Sequence, residues 1–274
     1  MRIYWSKVYA YAVIIVLGVI WAFPIYSLIL GSIKSLAEVM NTPIFVPPDA
    51  PSLSTLASVA NAMKTTLLNT AIVVIPVAVL STFFGMLGAY AIVRRRSKLS
   101  DTLMMLVAIA TYTPYQALLV PFVHILKFFN LYNTLPGLAF GFLIYYTPMA
   151  ALLMVIFMSV IPSELIEAAV VDGANEFSIF KRVVLPVLGP GIVSTLIFIL
   201  IVSWNNFFIP LILTRGYGKF VTLRIFSYVG QSGTFYNKMF AAALLGSLPP
   251  LIIFIVLGRY FIRGLLVLGT GAKG

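Results

Sequence analysis

The chain has 274 residues, 61% of them hydrophobic and only 9% charged, with a formal net charge of +11. Soluble domains carry about a quarter charged residues, so this composition excludes a water-soluble globular fold and points to an integral membrane protein. There is no cysteine, which excludes disulfides, thiolate metal sites and a cysteine nucleophile.

The N-terminal stretch "MRIYWSKVYAYAVIIVLGVIWAFPIYSLIL" has a basic start and a long apolar run. That run exceeds the roughly 7–15 residues of a signal-peptide core and lacks a small-residue cleavage site, so an uncleaved first span is expected. A helix needs about 20 mostly apolar residues to cross the hydrocarbon. Six stretches qualify, at approximately 8–30, 66–93, 102–122, 135–160, 190–213 and 240–262. An all-α integral membrane fold follows, because open strands leave backbone groups unpaired in lipid. The apolar runs are continuous rather than alternating, which argues against a barrel. A single transmembrane domain accounts for residues 1–274.

Lys and Arg set the expected orientation. With the N-terminus inside, the inner segments hold Arg2, Lys7, Arg94, Arg95, Arg96, Lys98, Lys181, Arg182, Arg259, Arg263 and Lys273. The outer ones hold Lys34, Lys64, Lys127, Arg215, Lys219, Arg224 and Lys238. The run "RRRSK" in a very short loop dominates locally, so both termini are expected in the cytoplasm. The same topological work accounts for most of the basic charge without nucleic acid. Outside, residues 31–65 form a long loop containing "NTPIFVPPDAPSLSTL", whose prolines favour an extended path. Ser54 is expected to cap a short helix with apolar spacing at Leu56, Val59, Ala60 and Met63.

The span interiors hold few ionisable groups, whereas proton-coupled carriers keep them at depth. The single His124 falls at an outer helix end, where an interfacial role suffices. No G-x-x-x-x-G-K-[ST] loop is present, and no "TVGYG" filter. No catalytic residue and no metal site are expected. Polar residues inside spans remain. "TYTPYQALLVP" places Tyr112, Thr113, Tyr115 and Gln116 in the third span, with Pro114 able to bend it. "SWNNFFIP" places Ser203, Trp204, Asn205 and Asn206 in the fifth. Adjacent amides there need another helix or a wet cavity as partner. Tyr115, Gln116, Trp204, Asn205 and Asn206 suit a hydroxylated neutral solute. Helix–helix hydrogen bonding is the plainer alternative.

The acidic residues are not spread evenly. Glu164, Glu167, Asp172 and Glu176 make four of the seven in the chain, all between the fourth and fifth spans on the expected cytoplasmic side. Pro162 suits a helix start, and acids in the first turns complement its dipole. "SELIEAAVV" reads as a short helix, ended by Gly173 at positive φ. Asn175 can cap a second helix, "EFSIFKRVV", with Phe177, Phe180 and Val184 on one face. The expected product is a helix–Gly–helix elbow over 162–189. A helix lying on the lipid surface is the alternative, but it would want a more basic face and no Gly at the bend.

Glu167-Ala168-Ala169, then Gly173, then Val183 and Leu185-Pro186, at this fixed spacing, resemble the signature loop of ABC-importer permeases. That family more often has Ile where Val183 stands. The resemblance runs along nearly the whole chain. "NTPIFVPPDAPSLSTL", the pair Asn69-Thr70, "SWNNFFIPLIL" and the end "GRYFIRGLLVLGTGAKG" are similar to carbohydrate-importer permeases related to the maltose system. The resemblance implies a non-catalytic subunit of the cell membrane. It would pair with a second, homologous permease, two ATPase subunits that bind ATP and Mg²⁺, and an extracytoplasmic sugar-binding protein. The second half of the elbow would be the coupling helix that docks on an ATPase. Glu167, Ala168, Ala169, Asp172, Gly173, Asn175, Phe177 and Phe180 would form that contact. The fifth-span "WNNF" would line the path, and Gln231, Ser232, Gly233 and Thr234 would meet the binding protein. An ABC permease for another polar solute, or an ATP-independent carrier, remains the alternative.

Overall fold

The computed structural model describes residues 2–94, 97–230 and 233–271, with side chains over 7–94, 97–229 and 235–259. In chain order the helices are α1 (Arg2–Ile33), α2 (Leu36–Asn41), α3 (Ser54–Arg94), α4 (Lys98–Tyr112), α5 (Tyr115–Phe128) and α6 (Leu135–Met158). They continue as α7 (Ser163–Val171) and α8 (Glu176–Ile179), a π turn at Phe180–Val184, then α9 (Leu185–Val187) and α10 (Gly189–Trp204). The last are α11 (Phe208–Leu213), α12 (Val221–Phe226) and α13 (Tyr236–Gly271). A two-residue ladder, β1 (Val229–Gly230) against β2 (Gly233–Thr234), is the extended piece among the described residues. The all-α reading holds.

Among the described residues four helices are long and apolar enough to cross a membrane, or up to six if each of two bent pairs is one span. Their boundaries depart from expectation for identifiable reasons. The second span begins at Ser54, so the short capped helix is simply the first turns of α3. No Gly or Pro between 54 and 66 interrupts it. At 41 residues α3 is roughly 60 Å long, about twice the hydrocarbon thickness. The third span is broken, with α4 and α5 meeting at 92°. Thr113 sits there in extended conformation, at φ −66° and ψ 134°. Pro114 imposes this, because its ring disfavours helix in the preceding residue. The fifth span is interrupted too. α10 stops at Trp204, and the chain turns through Asn205–Phe207 before α11 resumes.

α3 and α6 form the central seam. Ser81, Gly85 and Ala89, spaced four apart on α3, are all buried. A methyl group added at Gly85 would lie 2.7 Å from the Ala151 backbone nitrogen and 2.8 Å from the Ala150 carbonyl carbon. The two backbones therefore touch, as small residues permit in membrane helix pairs. Thr147 Oγ1 donates to Ser81 Oγ across the seam at 3.4 Å. Around it, Val74, Met63, Phe142, Tyr146, Ile199, Leu213 and Phe220 pack into one apolar core. α1 stands at the edge against α13 and α3, its outward residues from Val8 to Ile25 left uncovered.

The loops between α1 and α3 and those after α5 and α11 are tied to the bundle by specific bonds. Lys34 is buried, and its ammonium donates to Thr42 Oγ1 at 2.9 Å and the Pro43 carbonyl at 3.0 Å. Glu38 closes a capping box with Ser35. The backbone N–H groups of Ser35 and Asp49 bond its carboxylate and hold its pKa below the usual value. Thr66 donates to the Gly218 carbonyl, and Val221 N–H donates to Thr70 Oγ1. Asn133 accepts from Arg215 N–H and from the Lys219 ammonium, which staples the loop after α5 to the loop after α11.

Candidate functional site

The elbow forms as the sequence predicts, with one change of face. Asp172 and Gly173 end α7 in a full Schellman motif. Gly173 N–H bonds the Val170 carbonyl and Ala174 N–H bonds the Ala169 carbonyl, each at 3.0 Å. Gly173 takes φ +77° with open space around it, so the backbone conformation alone selects glycine there. Asn175 Oδ1 then accepts the Ser178 N–H at 2.9 Å and caps α8. The expected face of Phe177, Phe180 and Val184 does not hold together. The π turn, closed by Leu185 N–H on the Phe180 carbonyl, inserts an extra residue and rotates the register. The inward face becomes Ile179, Phe180, Val184 and Leu188, packed on Met86, Ala89, Met154, Phe157 and Met158. Phe177 is 71% exposed and Val171 is 87% exposed.

The outer side of the elbow thus combines carboxylates and bare apolar groups. Glu164, Glu167, Ala168 and Asp172 are exposed, while Ala169 is half-buried against the bundle. A cavity of about 1070 Å³ lies behind it, bounded by Tyr90, Arg94, Lys98, Asp101, Glu167 and Val184 among others. Sequence reasoning assigned no partner to Glu176. Its carboxylate takes Arg94 through two nitrogens, at 3.1 and 3.2 Å, and the Tyr90 hydroxyl at 2.9 Å. No local pattern announces this contact, since the partners lie 82 and 86 positions apart.

The polar residues of the third and fifth spans do meet. Asn206 Nδ2 donates to the Tyr146 hydroxyl at 3.1 Å and to the Tyr115 hydroxyl at 3.3 Å. Its Oδ1 accepts the Ile209 N–H at 2.9 Å and so starts α11, and its carbonyl accepts from Thr222. Tyr146 donates in turn to the Val202 carbonyl at 3.0 Å. Tyr115 and Tyr145 rings lie 4.3 Å apart. One amide therefore ties the break between α4 and α5 to the turn between α10 and α11. Tyr146, which the sequence reading passed over, is the third corner of this knot. Trp204 does not stand beside it as a path residue. It is buried in the core, and its indole N–H bonds the Gly246 carbonyl on α13 at 3.0 Å. Asn205 is exposed and bonds back to the Ile201 carbonyl, and Gln116 is exposed one position beyond Tyr115.

Of the expected binding-protein contacts, Gln231 and Ser232 lie outside the described residues. Gly233 and Thr234 pair with Gly230 and Val229 in the short antiparallel ladder. No cluster of three or more metal-ligating side chains occurs among the described residues.

Residues 81–267 match the family described as the inner membrane component of binding-protein-dependent transport systems. This chain belongs to that family. Its matched region holds both broken spans, the elbow and the knot. A glucose import system permease of Saccharolobus solfataricus is 43% identical over 272 residues, covering 96% of this chain and 95% of the relative. An arabinooligosaccharide transport permease of Halalkalibacterium halodurans is 30% identical, covering 92% of this chain and 91% of its own. Among solved structures, a chain of a bacterial ABC transporter that imports the acidic polysaccharide alginate superposes with a TM-score of 0.73 at 22% identity. It covers 93% of this chain and 97% of its own, which establishes the same fold.

Proposed function

We propose that this chain is the translocation subunit of an ATP-binding-cassette importer that moves a sugar delivered by an extracytoplasmic binding protein. The full-length similarity to a glucose import permease carries the substrate class. The elbow supports the coupling role. Its exposed Glu167, Asp172, Val171 and Phe177 leave apolar and charged surface that a soluble partner can cover, as a docked motor subunit would.

In this reading the protein performs no chemistry on the sugar or on ATP. Closure of two ATPase subunits moves the elbow, with α8 and the π turn as the coupling helix. The bundle tilts between inward-open and outward-open forms. A second, homologous permease completes the pathway, and the β1–β2 hairpin meets the binding protein outside. The knot at Asn206 holds the two broken spans together, while Asn205, Gln116 and the Tyr115 ring face the solute. Amides bind sugar hydroxyls, and aromatic faces stack on the C–H faces of a pyranose. Both termini are cytoplasmic.

The test is uptake of labelled glucose, maltose and trehalose into proteoliposomes. They hold this chain with its partner permease and ATPases, and the binding protein is added outside. Uptake of one sugar that requires both ATP and the binding protein is expected. Uptake without ATP would overturn the reading in favour of a carrier.

A further inference from the structure

The contact at Glu176 has no part in capping or in the exposed docking face, yet it is the most richly bonded carboxylate of the elbow. Its place is specific. Glu176 is the first residue of α8, the start of the second half of the elbow, and Arg94 is the last residue of α3. Two guanidinium nitrogens on one carboxylate fix both distance and orientation, which a single point contact does not. Tyr90, one turn earlier on α3, adds its hydroxyl to the same carboxylate. Its ring sits edge-on to Phe180 at 4.9 Å between centroids. Among the described residues, the apolar contacts between the elbow and the bundle are made by Ile166, Ala169, Ile179, Phe180, Val184 and Leu188. Apolar burial is non-directional, so those contacts allow sliding. The 1070 Å³ cavity separates much of the elbow from α4. The polar contact to α3 is what sets the register of the elbow.

Stability alone does not explain such a pair. The arginine and glutamate side chains are 29% and 55% exposed, and ion pairs that exposed contribute little to folding. We propose that Tyr90, Arg94 and Glu176 form a positioning joint that delivers movement of the elbow to α3, and through the close α3–α6 seam to the bundle. This rests on the coupling role proposed above for the elbow. Arg94 then has two duties, since the same residue opens the basic inner loop that orients the protein.

The full complex in proteoliposomes tests the joint, read as sugar moved per ATP hydrolysed. Glu176→Arg and Glu176→Gln each lower that ratio, the reversal by roughly fivefold, the scale of one charge-assisted contact. Protein abundance and melting temperature stay unchanged. The exchanged pair Arg94→Glu with Glu176→Arg recovers most of the ratio. The chain lacks cysteine, so Arg94→Cys with Glu176→Cys can be joined by a thiol cross-linker. Transport that survives the cross-link supports a joint that moves as one body. An unaltered ratio in the single variants, a failed exchange, or transport blocked by the cross-link would each overturn it. Glu167→Arg run alongside separates the two readings. Full uptake in that variant sinks the docking role itself, whereas loss there with normal ratios at Glu176 sinks the joint alone.

Discussion

The α3–α6 seam and the elbow are built from the same chain by opposite means. In the seam, Ser81, Gly85 and Ala89 bring backbone against backbone. In the elbow, Val171 and Phe177 are exposed beside Glu167 and Asp172. Exposed apolar groups on a membrane-spanning helix are covered by lipid, but in the proposed function the elbow lies beyond the lipid and has no such cover. The seam is complete within one chain. In the proposed function the elbow is complete only when another chain covers it. Changes in the seam should therefore cost the protein, and changes in the elbow should cost the work it does.

The largest expected effect tests the first half of that contrast. Gly85→Leu forces a side chain to within 3 Å of the α6 backbone, where neither helix can yield without opening the seam. Overpacking of this kind commonly costs about 1–3 kcal/mol and more against backbone. Detergent-solubilised protein should melt well below the wild type or fail to accumulate in membranes. Normal melting would show that the seam is looser than its distances say.

Next in size is the elbow itself. Gly173→Pro demands φ near −65° where the backbone sits at +77°, and it also removes the N–H that bonds Val170. Glu167→Arg reverses one exposed charge and touches no packing. Both variants should insert and accumulate normally, and both should abolish ATP-driven uptake. Gly173→Ala, which strains φ but keeps the N–H, should fall between. Full uptake in Gly173→Pro and Glu167→Arg would remove the elbow from the transport cycle.

The two regions were also unequally legible in the sequence. The elbow is local, since capping by Asn175, the turn at Gly173 and the acids of α7 all act within a few residues. Short-range rules therefore found it, and missed the rotation of Phe177 away from the bundle and the distant partners of Glu176. That rotation comes from the π turn, which depends on Val184 and Leu188 seating among Met154 and Met158. Four spans were legible from hydropathy, with two bent pairs completing the expected six if each is one span, and the bend at Pro114 was legible from proline sterics. The stop after Trp204 was not, because "WNNFF" contains no Pro or Gly. Its cause is a distant one. Asn206 gives up helical geometry to bond Tyr115 and Tyr146, 91 and 60 positions away. Glu176 with Arg94, and Lys34 inside its loop, were hidden for the same reason. No local pattern gives either charge its partner.

The smallest effect divides the paired amides, which composition could not tell apart. Asn206→Leu removes three side-chain hydrogen bonds. It leaves Ile209 N–H and the Tyr115 hydroxyl without their partner, while Tyr146 keeps the Val202 carbonyl. Unmade buried bonds cost about 1–3 kcal/mol each at most, so a fall in melting temperature with a parallel loss of uptake is expected. Asn205→Leu loses a bond only to its own helix, to Ile201, in an exposed position. It should melt normally, yet reduce sugar uptake more than it reduces ATP hydrolysis. Equal melting shifts for the two variants would mean that Asn206 is not the tie between the broken spans. Unchanged uptake in Asn205→Leu would take that amide out of the solute path and leave the aromatic surface of Tyr115 to carry recognition.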